Sequence, residues 1–180
     1  MKSSGFYLAF VSAVVLMAAS PAAQAPMQAK IDAEIAALTK WSTDSVIVSG
    51  VKAQNAAPGA GVDAMSQETW TAAGPDDALV RALTSNRVAA VIGTHKSAAA
   101  SEVFVNAADG RKVAFLTKTT SWSHKGSPKH EVPMTGKVWQ GQAEMDQSTR
   151  VESIQIAVPV LDGTTPIGSI VVGLDVAKLK

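Results

Sequence analysis

Val151-Glu-Ser-Ile-Gln-Ile-Ala-Val-Pro-Val160, then Leu161-Asp-Gly-Thr-Thr-Pro166, then Ile167-Gly-Ser-Ile-Val-Val-Gly-Leu-Asp-Val176 decide the fold of this chain. In the first segment Ile154, Ile156, Val158 and Val160 fall on one side of an extended backbone. Ser153, Gln155 and Ala157 fall on the other. Pro159 sits near the end of that run, where a missing N–H is tolerable. Asp162-Gly163 supplies a turn. In the last segment Ile170, Val172 and Leu174 share a face, opposite Ser169, Val171, Gly173 and Asp175. Two strands with a half-apolar face, joined by a turn, read as an antiparallel hairpin.

Working outward, the period of two extends back to residue 102. Glu102 to Ala107 is a strand candidate, Asp109-Gly110 a hairpin turn, and Arg111 to Thr117 the return strand. A polar stretch of about 20 residues follows, longer than a hairpin needs. Lys137 to Gly141 forms a short strand after it. Before residue 100 the period is 3.6. Ile31, Ile35 and Leu38 fall at i, i+4 and i+7, and Val46 extends their stripe, so residues 26–53 read as one long amphipathic helix. Asn55-Ala-Ala-Pro-Gly-Ala-Gly61 breaks it. Further helices are expected over 62–72 and over 77–85, the latter with Asp76 as N-cap. Helices first and an antiparallel meander second make an α+β domain, with the helices on one face of the sheet. The polar loop and the short strand remain to cover the other face.

The N-terminus bounds the location. Lys2, the uncharged run Phe6 to Ala19 and Ala23-Gln24-Ala25 have the form of a secretory signal peptide over residues 1–25. Its apolar core is too short for a membrane span. Residues 26–180 then form one domain, expected in the periplasm or secreted, or tethered if the signal is uncleaved. The chain holds 16 basic and 15 acidic residues. Losing Lys2 leaves them balanced, so no basic field attracts nucleic acid. There is no cysteine, which removes thiol catalysis and thiolate metal sites.

Lys118-Thr-Thr-Ser-Trp-Ser-His-Lys-Gly-Ser-Pro-Lys-His130 concentrates the chemistry: two of three histidines and one of four tryptophans. Trp122 offers a flat apolar face and one N–H donor. His124 and Lys125 can receive a carboxylate, and Thr119, Thr120 and Ser121 can donate and accept hydrogen bonds. The opposing reading has Trp122 as a core plug. Asp175 lies on the less apolar side of the last strand, with Gly173 leaving room beside it. It can anchor an ammonium or act as a strand-end acid paired with Lys178. His124, His130 and Glu131 lack close metal-ligand spacing, and Lys125 and Lys129 repel a cation, so no metal site is expected. His95 reads as a surface histidine. No nucleophile elbow and no nucleotide-binding glycine loop is present, so neither an enzyme nor a cofactor is expected.

Phe104-Val-Asn-Ala-Ala-Asp-Gly-Arg-Lys-Val113, Thr119-Thr-Ser-Trp122, Val158-Pro-Val-Leu-Asp-Gly163 and Pro166-Ile-Gly-Ser-Ile-Val-Val-Gly-Leu-Asp-Val-Ala-Lys-Leu179 resemble the extracytoplasmic sensor domains of the Cache (PDC) type. Val51-Lys-Ala-Gln-Asn55 is similar too. The resemblance implies a PAS-like α+β fold, with a long N-terminal helix packed on a curved antiparallel sheet. It implies a small ligand (an amino acid, amine or small carboxylate) held between the sheet's other face and the long loop. The matching positions are Thr120, Trp122, His124, Lys125 and Asp175. Many relatives carry an acid where this chain has Ser121, and Gly-Asp-Glu where it has Gly126-Ser127-Pro128. Those losses, with His124 and Lys125, tilt the expectation toward an anionic group. Such domains usually sit between two membrane helices with an output module behind. No apolar span follows Leu179 here, so a free or N-terminally tethered binding protein is expected, presenting its ligand to a partner such as a membrane sensor. The alternatives are an interaction module docking on a membrane sensor without a ligand and, more remotely, a hydrolase or metal protein.

Overall fold

The structure is a computed structural model that describes residues 21–145 and 150–179. Residues 1–20, most of the expected signal peptide, lie outside the described residues. Residues 21–25 belong to the first helix.

Five strands form one antiparallel sheet: β1 (Ala100–Ala107), β2 (Lys112–Phe115), β3 (Trp139–Met145), β4 (Glu152–Asp162) and β5 (Thr165–Asp175). Their order is β2-β1-β5-β4-β3. The β4–β5 hairpin is the spine, with Ile156 opposite Val172 and Val158 opposite Ile170. Its turn uses Gly163 at a φ of +62°, a conformation that favours glycine. β1 pairs with the outer side of β5, Phe104 opposite Val171.

The helices are α1 (Pro21–Thr39), α2 (Ser45–Ala56), α3 (Gln67–Ala72), α4 (Ala78–Ser85), α5 (Arg87–His95) and the one-turn α6 (Pro128–Glu131). The single helix expected over 26–53 is two helices. A 3-10 turn at Lys40–Thr43 ends the first. Asp44 starts the second by accepting from the amides of Val46 (2.9 Å) and Ile47 (3.1 Å). The apolar stripe survives the break, because Ile31, Leu38, Ile47 and Val51 all enter the same core. Over 62–72, residues 60–64 are a turn and only Gln67–Ala72 is α-helical, capped by Ser66. α4, expected over 77–85, is capped by Asp77 rather than Asp76, through the amides of Leu79 and Val80. α5 has no counterpart in the sequence reading. Asn86 builds it, capping Ala89 and donating to the carbonyl of Val113 in β2.

The sheet divides two cores. On one face Ile154, Ile156, Val158, Ile170, Val172 and Leu174 pack with α1, α2 and α5, as the alternation requires. On the other, Phe104, Phe115, Ala157 and Val171 pack with Trp122, Trp70 of α3 and Leu79, Val80 and Leu83 of α4. The helices are therefore not confined to one face. Residues 62–83 share the second face with the loop, because the loop and β3 carry too few large apolar side chains to cover it.

Candidate functional site

The first half of the loop after β2 is held from two sides. The Asp109-Gly110 turn holds residues 123–124: the amide of His124 donates to the Gly110 carbonyl (2.9 Å), and the Ser123 hydroxyl donates to that of Asp109 (3.3 Å). Gly110 has a φ of +80°, and a Cβ there would lie 2.3 Å from the amide nitrogen of Lys125. Only glycine permits both the turn and the close approach. α3 holds residues 119–122. Gln67 accepts from the amide of Trp122 (2.9 Å) and donates to the carbonyl of Thr120 (2.9 Å). The Trp70 indole donates to the carbonyl of Thr119 (2.8 Å). Trp122 lies against Trp70 with ring centroids 5.0 Å apart.

Under the loop, next to the aromatic residues, lies a chain of buried polar groups. The Lys112 side chain is fully buried, its ammonium nitrogen 2.9 Å from Asn106 Oδ1, in contact with His124 Nδ1, and 4.3 Å from the Phe104 ring centroid. The Asn106 amide donates to the Ser169 hydroxyl (3.0 Å), and Ser169 lies 2.9 Å from His130 Nδ1. His130 Nε2 is 3.2 Å from the Ala108 carbonyl. A carbonyl only accepts, so Nε2 carries the proton and Nδ1 accepts from Ser169. Every donor then runs in one direction, from Lys112 to Ala108. Burial pushes Lys112 well below its ordinary value, partly offset by Glu102. His124 stacks on Phe104 at 4.8 Å; burial first, then the charges of Lys112 and Lys129, push it down to about 2. His130 is also lowered, chiefly by burial. Both histidines are neutral at pH 7.

At the opposite edge of the sheet, where the loop passes β3 and β4, a polar cavity of about 340 Å³ opens. Thr120, Ser127 and Lys129 line it from the loop, Trp139, Gly141, Gln142 and Glu144 from β3, Ser153 and Gln155 from β4. Lys129 donates to Gln155 (2.8 Å), which donates to Glu102 (3.0 Å). A larger, apolar groove of about 780 Å³ lies elsewhere, between α2 and α4. Its lining is mainly apolar, whereas polar groups dominate the smaller cavity, so the smaller cavity is the better candidate for a polar ligand.

Of the five residues expected in a site, Thr120 lines the cavity. Trp122 and His124 are buried beneath the loop. The Trp122 indole N–H has no hydrogen-bond partner among the described residues. Lys125 and Asp175 are not brought to the cavity. Lys125 is exposed, since its backbone is what packs on Gly110. Asp175 accepts from the amide of Ala177 (2.9 Å), capping a 3-10 turn at the end of β5, and lies 3.7 Å from Lys178. Glu131 accepts from the Gly126 amide, away from His124. No group of three metal-ligating side chains occurs among the described residues. His95 is exposed and packs on Trp41. Sequence reasoning missed the β3 and β4 lining and the role of Lys112. The phase of Gln155 was read correctly, and the same phase in β1 places Asn106 beside Phe104, which was the available signal.

No protein-family model matches this chain, and no curated protein sequence matches it. Among solved structures, the sensor domain of E. coli DcuS is similar with a TM-score of 0.52 and 11% identity, covering 86% of this chain and 95% of that one. The sensor domain of the V. cholerae histidine kinase DctB gives a TM-score of 0.48 at 18% identity. It covers 88% of this chain, which spans 56% of the DctB domain. The ligand-binding domain of Mlp24 with asparagine gives 0.38 at 10% identity, covering 86% of this chain and 60% of that one. Among the described residues no helix is long and apolar enough to cross a membrane. The strand order, the layer of α1, α2 and α5 on one face and the likeness to DcuS agree: the chain has the α+β, PAS-like fold expected from its sequence, a fold it shares with the DcuS sensor domain.

Proposed function

We propose that this chain is an extracytoplasmic binding and sensing domain without catalytic activity, exported by a cleaved signal peptide over residues 1–25. Its ligand is a small polar molecule: an amino acid, an amine or a small carboxylate. The observation that carries the reading is the cavity of about 340 Å³ between the loop, β3 and β4, a size and a mixture of groups suited to such a ligand. Lys129 supplies a cation for a carboxylate and Glu144 an anion for an ammonium. Thr120, Ser127, Ser153 and Gln155 add hydrogen bonds. Trp139 forms a flat wall. Trp122 and His124 lie beneath the loop, outside the cavity lining, where His124 contacts Lys112. A membrane sensor is the partner to which such a domain presents its ligand.

Calorimetric titration of the full chain with amino acids, amines and dicarboxylates tests this. One class is expected to bind saturably, with Gln155→Ala and Lys129→Ala each weakening it at least tenfold, or about 1.4 kcal/mol. Absence of saturable binding across the panel, or binding that ignores both substitutions, overturns the assignment.

A further inference from the structure

The groove between α2 and α4 lies at the β2 edge of the sheet, across the molecule from the polar cavity at the β3 edge. It holds about 780 Å³. It opens along the seam where the two cores meet: Val88 and Val113 come from the helix-side core, Val62, Leu79 and Leu83 from the loop-side core. At Gly50 a Cβ would lie 2.3 Å from Val88 Cγ2. That glycine lets α5 touch α2, closing the floor while the outer part stays open.

The polar equipment of the groove is one-sided. No aspartate or glutamate lines it, and Arg87 is its one charged residue. Arg87 is exposed, at the start of α5, and makes no ion pair among the described residues. Gln54 also lines the groove; its side-chain Nε2 is buried and has no hydrogen-bond partner among the described residues. An apolar trough with one cation and one unmatched N–H donor complements an apolar body with an anionic head. A peptide helix or a second copy of this chain would fill the trough equally well but leave both donors without a reason.

We infer that this groove is a second binding site, for a single-chain anionic amphiphile such as an acyl carboxylate, with the tail over Leu83 and Val88 and the head at Arg87. The inference stands apart from the polar cavity. The probes are dodecanoate, dodecyltrimethylammonium and dodecanol, each titrated calorimetrically into the full chain below its micelle-forming concentration. Dodecanoate is expected to bind with one molecule per chain, at least tenfold tighter than the ammonium of equal tail length. Arg87→Glu is expected to erase that preference. Ala82→Trp, an exposed groove position, is expected to abolish dodecanoate binding while leaving the melting temperature, and any polar-ligand binding at the β3 edge, unchanged. Equal binding of the three probes overturns the inference, as does a charge preference that survives Arg87→Glu. Self-association broken by Ala82→Trp, without dodecanoate binding, assigns the groove to a second copy and also overturns it.

Discussion

On the face of the sheet covered by α1, α2 and α5, Ile154, Ile156, Val158, Ile170, Val172 and Leu174 meet those helices with hardly a polar side chain among them. On the other face, Phe104 and Phe115 lie among Lys112, Asn106, Ser169, His124 and His130, all buried. Both faces exclude water, but by different means. The first is held by contact area and shape, which tolerate any side chain of the right volume. The second is held by hydrogen bonds that are correct in one direction and wrong in the other. A face of the second kind orders a long loop in a single position, and that is what leaves a polar cavity of defined shape at its margin.

The largest expected effect tests the first face. Ile156 is fully buried opposite Val172. Ile156→Ala is expected to lower unfolding free energy by about 2–5 kcal/mol, read by urea denaturation, with little change in ligand affinity because the loop is untouched. A large loss of affinity at a temperature where the variant is still folded would mean that the two faces are not separable.

Next comes the polar chain. Lys112→Met removes a buried amine but strands Asn106 Oδ1 and His124 Nδ1, and is expected to cost about 1–3 kcal/mol. Replacing His124 by Phe at the same time keeps the stack on Phe104 and removes one stranded acceptor, so the double variant is expected to recover part of that loss. A double variant worse than the sum of its parts would show that the histidine does more than accept from Lys112.

The same chain makes stability depend on pH. Both His124 and His130 are held below the ordinary histidine value, chiefly by burial. The unfolded chain therefore binds more protons than the folded one below about pH 6.5. The stability present above that pH is lost as pH falls toward the folded values, about 2 for His124. Between pH 7 and pH 5 His124 alone is expected to remove about 1–2 kcal/mol, with His130 adding in the same direction. Urea midpoints across that range should fall with pH in the wild type and fall less in His124→Gln. A flat profile would place the two rings in contact with water.

The hairpin, its turn and the facing of residues 153–158 in β4 and 169–175 in β5 were legible in the sequence, because strict alternation is a local signal that burial on one face enforces. The helical half was legible only in outline. The stripe of Ile31 and Leu38 resumes after the break at Ile47 and Val51 rather than at Val46, which lines the groove instead, so periodicity could not report that Asp44 restarts the helix in a shifted phase. The crossing of residues 62–83 to the second face was not legible at all, since Trp70 and Leu79 read as apolar on either side of the sheet. Of the candidate site, the loop and Thr120 were found from length and composition. The lining from Gln142, Glu144 and Ser153 was not, because those are ordinary polar residues whose meaning comes only from the strand pairing beside them. Lys112 was placed only within the return strand, and its partners Asn106 and Ser169 come from two other strands.

The smallest expected effect concerns Asp175, which the sequence offered either as a ligand anchor or as a strand-end acid. It lies on the same strand and side as Ser169 and Val171, yet its carboxylate is turned onto the amide of Ala177, with Lys178 at 3.7 Å. A cap of this kind accepts nearly as well from asparagine as from aspartate, and the ion pair with a half-exposed lysine adds little. Asp175→Asn is therefore expected to change stability by no more than about 0.5 kcal/mol, and Asp175→Ala by about 1 kcal/mol. Neither is expected to alter calorimetric affinity for the small polar ligand. A carboxylate that anchored a ligand ammonium would behave in the opposite way: the asparagine variant would fold as well as the parent and bind at least tenfold more weakly. The two roles separate on that one substitution, because capping needs only an oxygen whereas anchoring needs the charge.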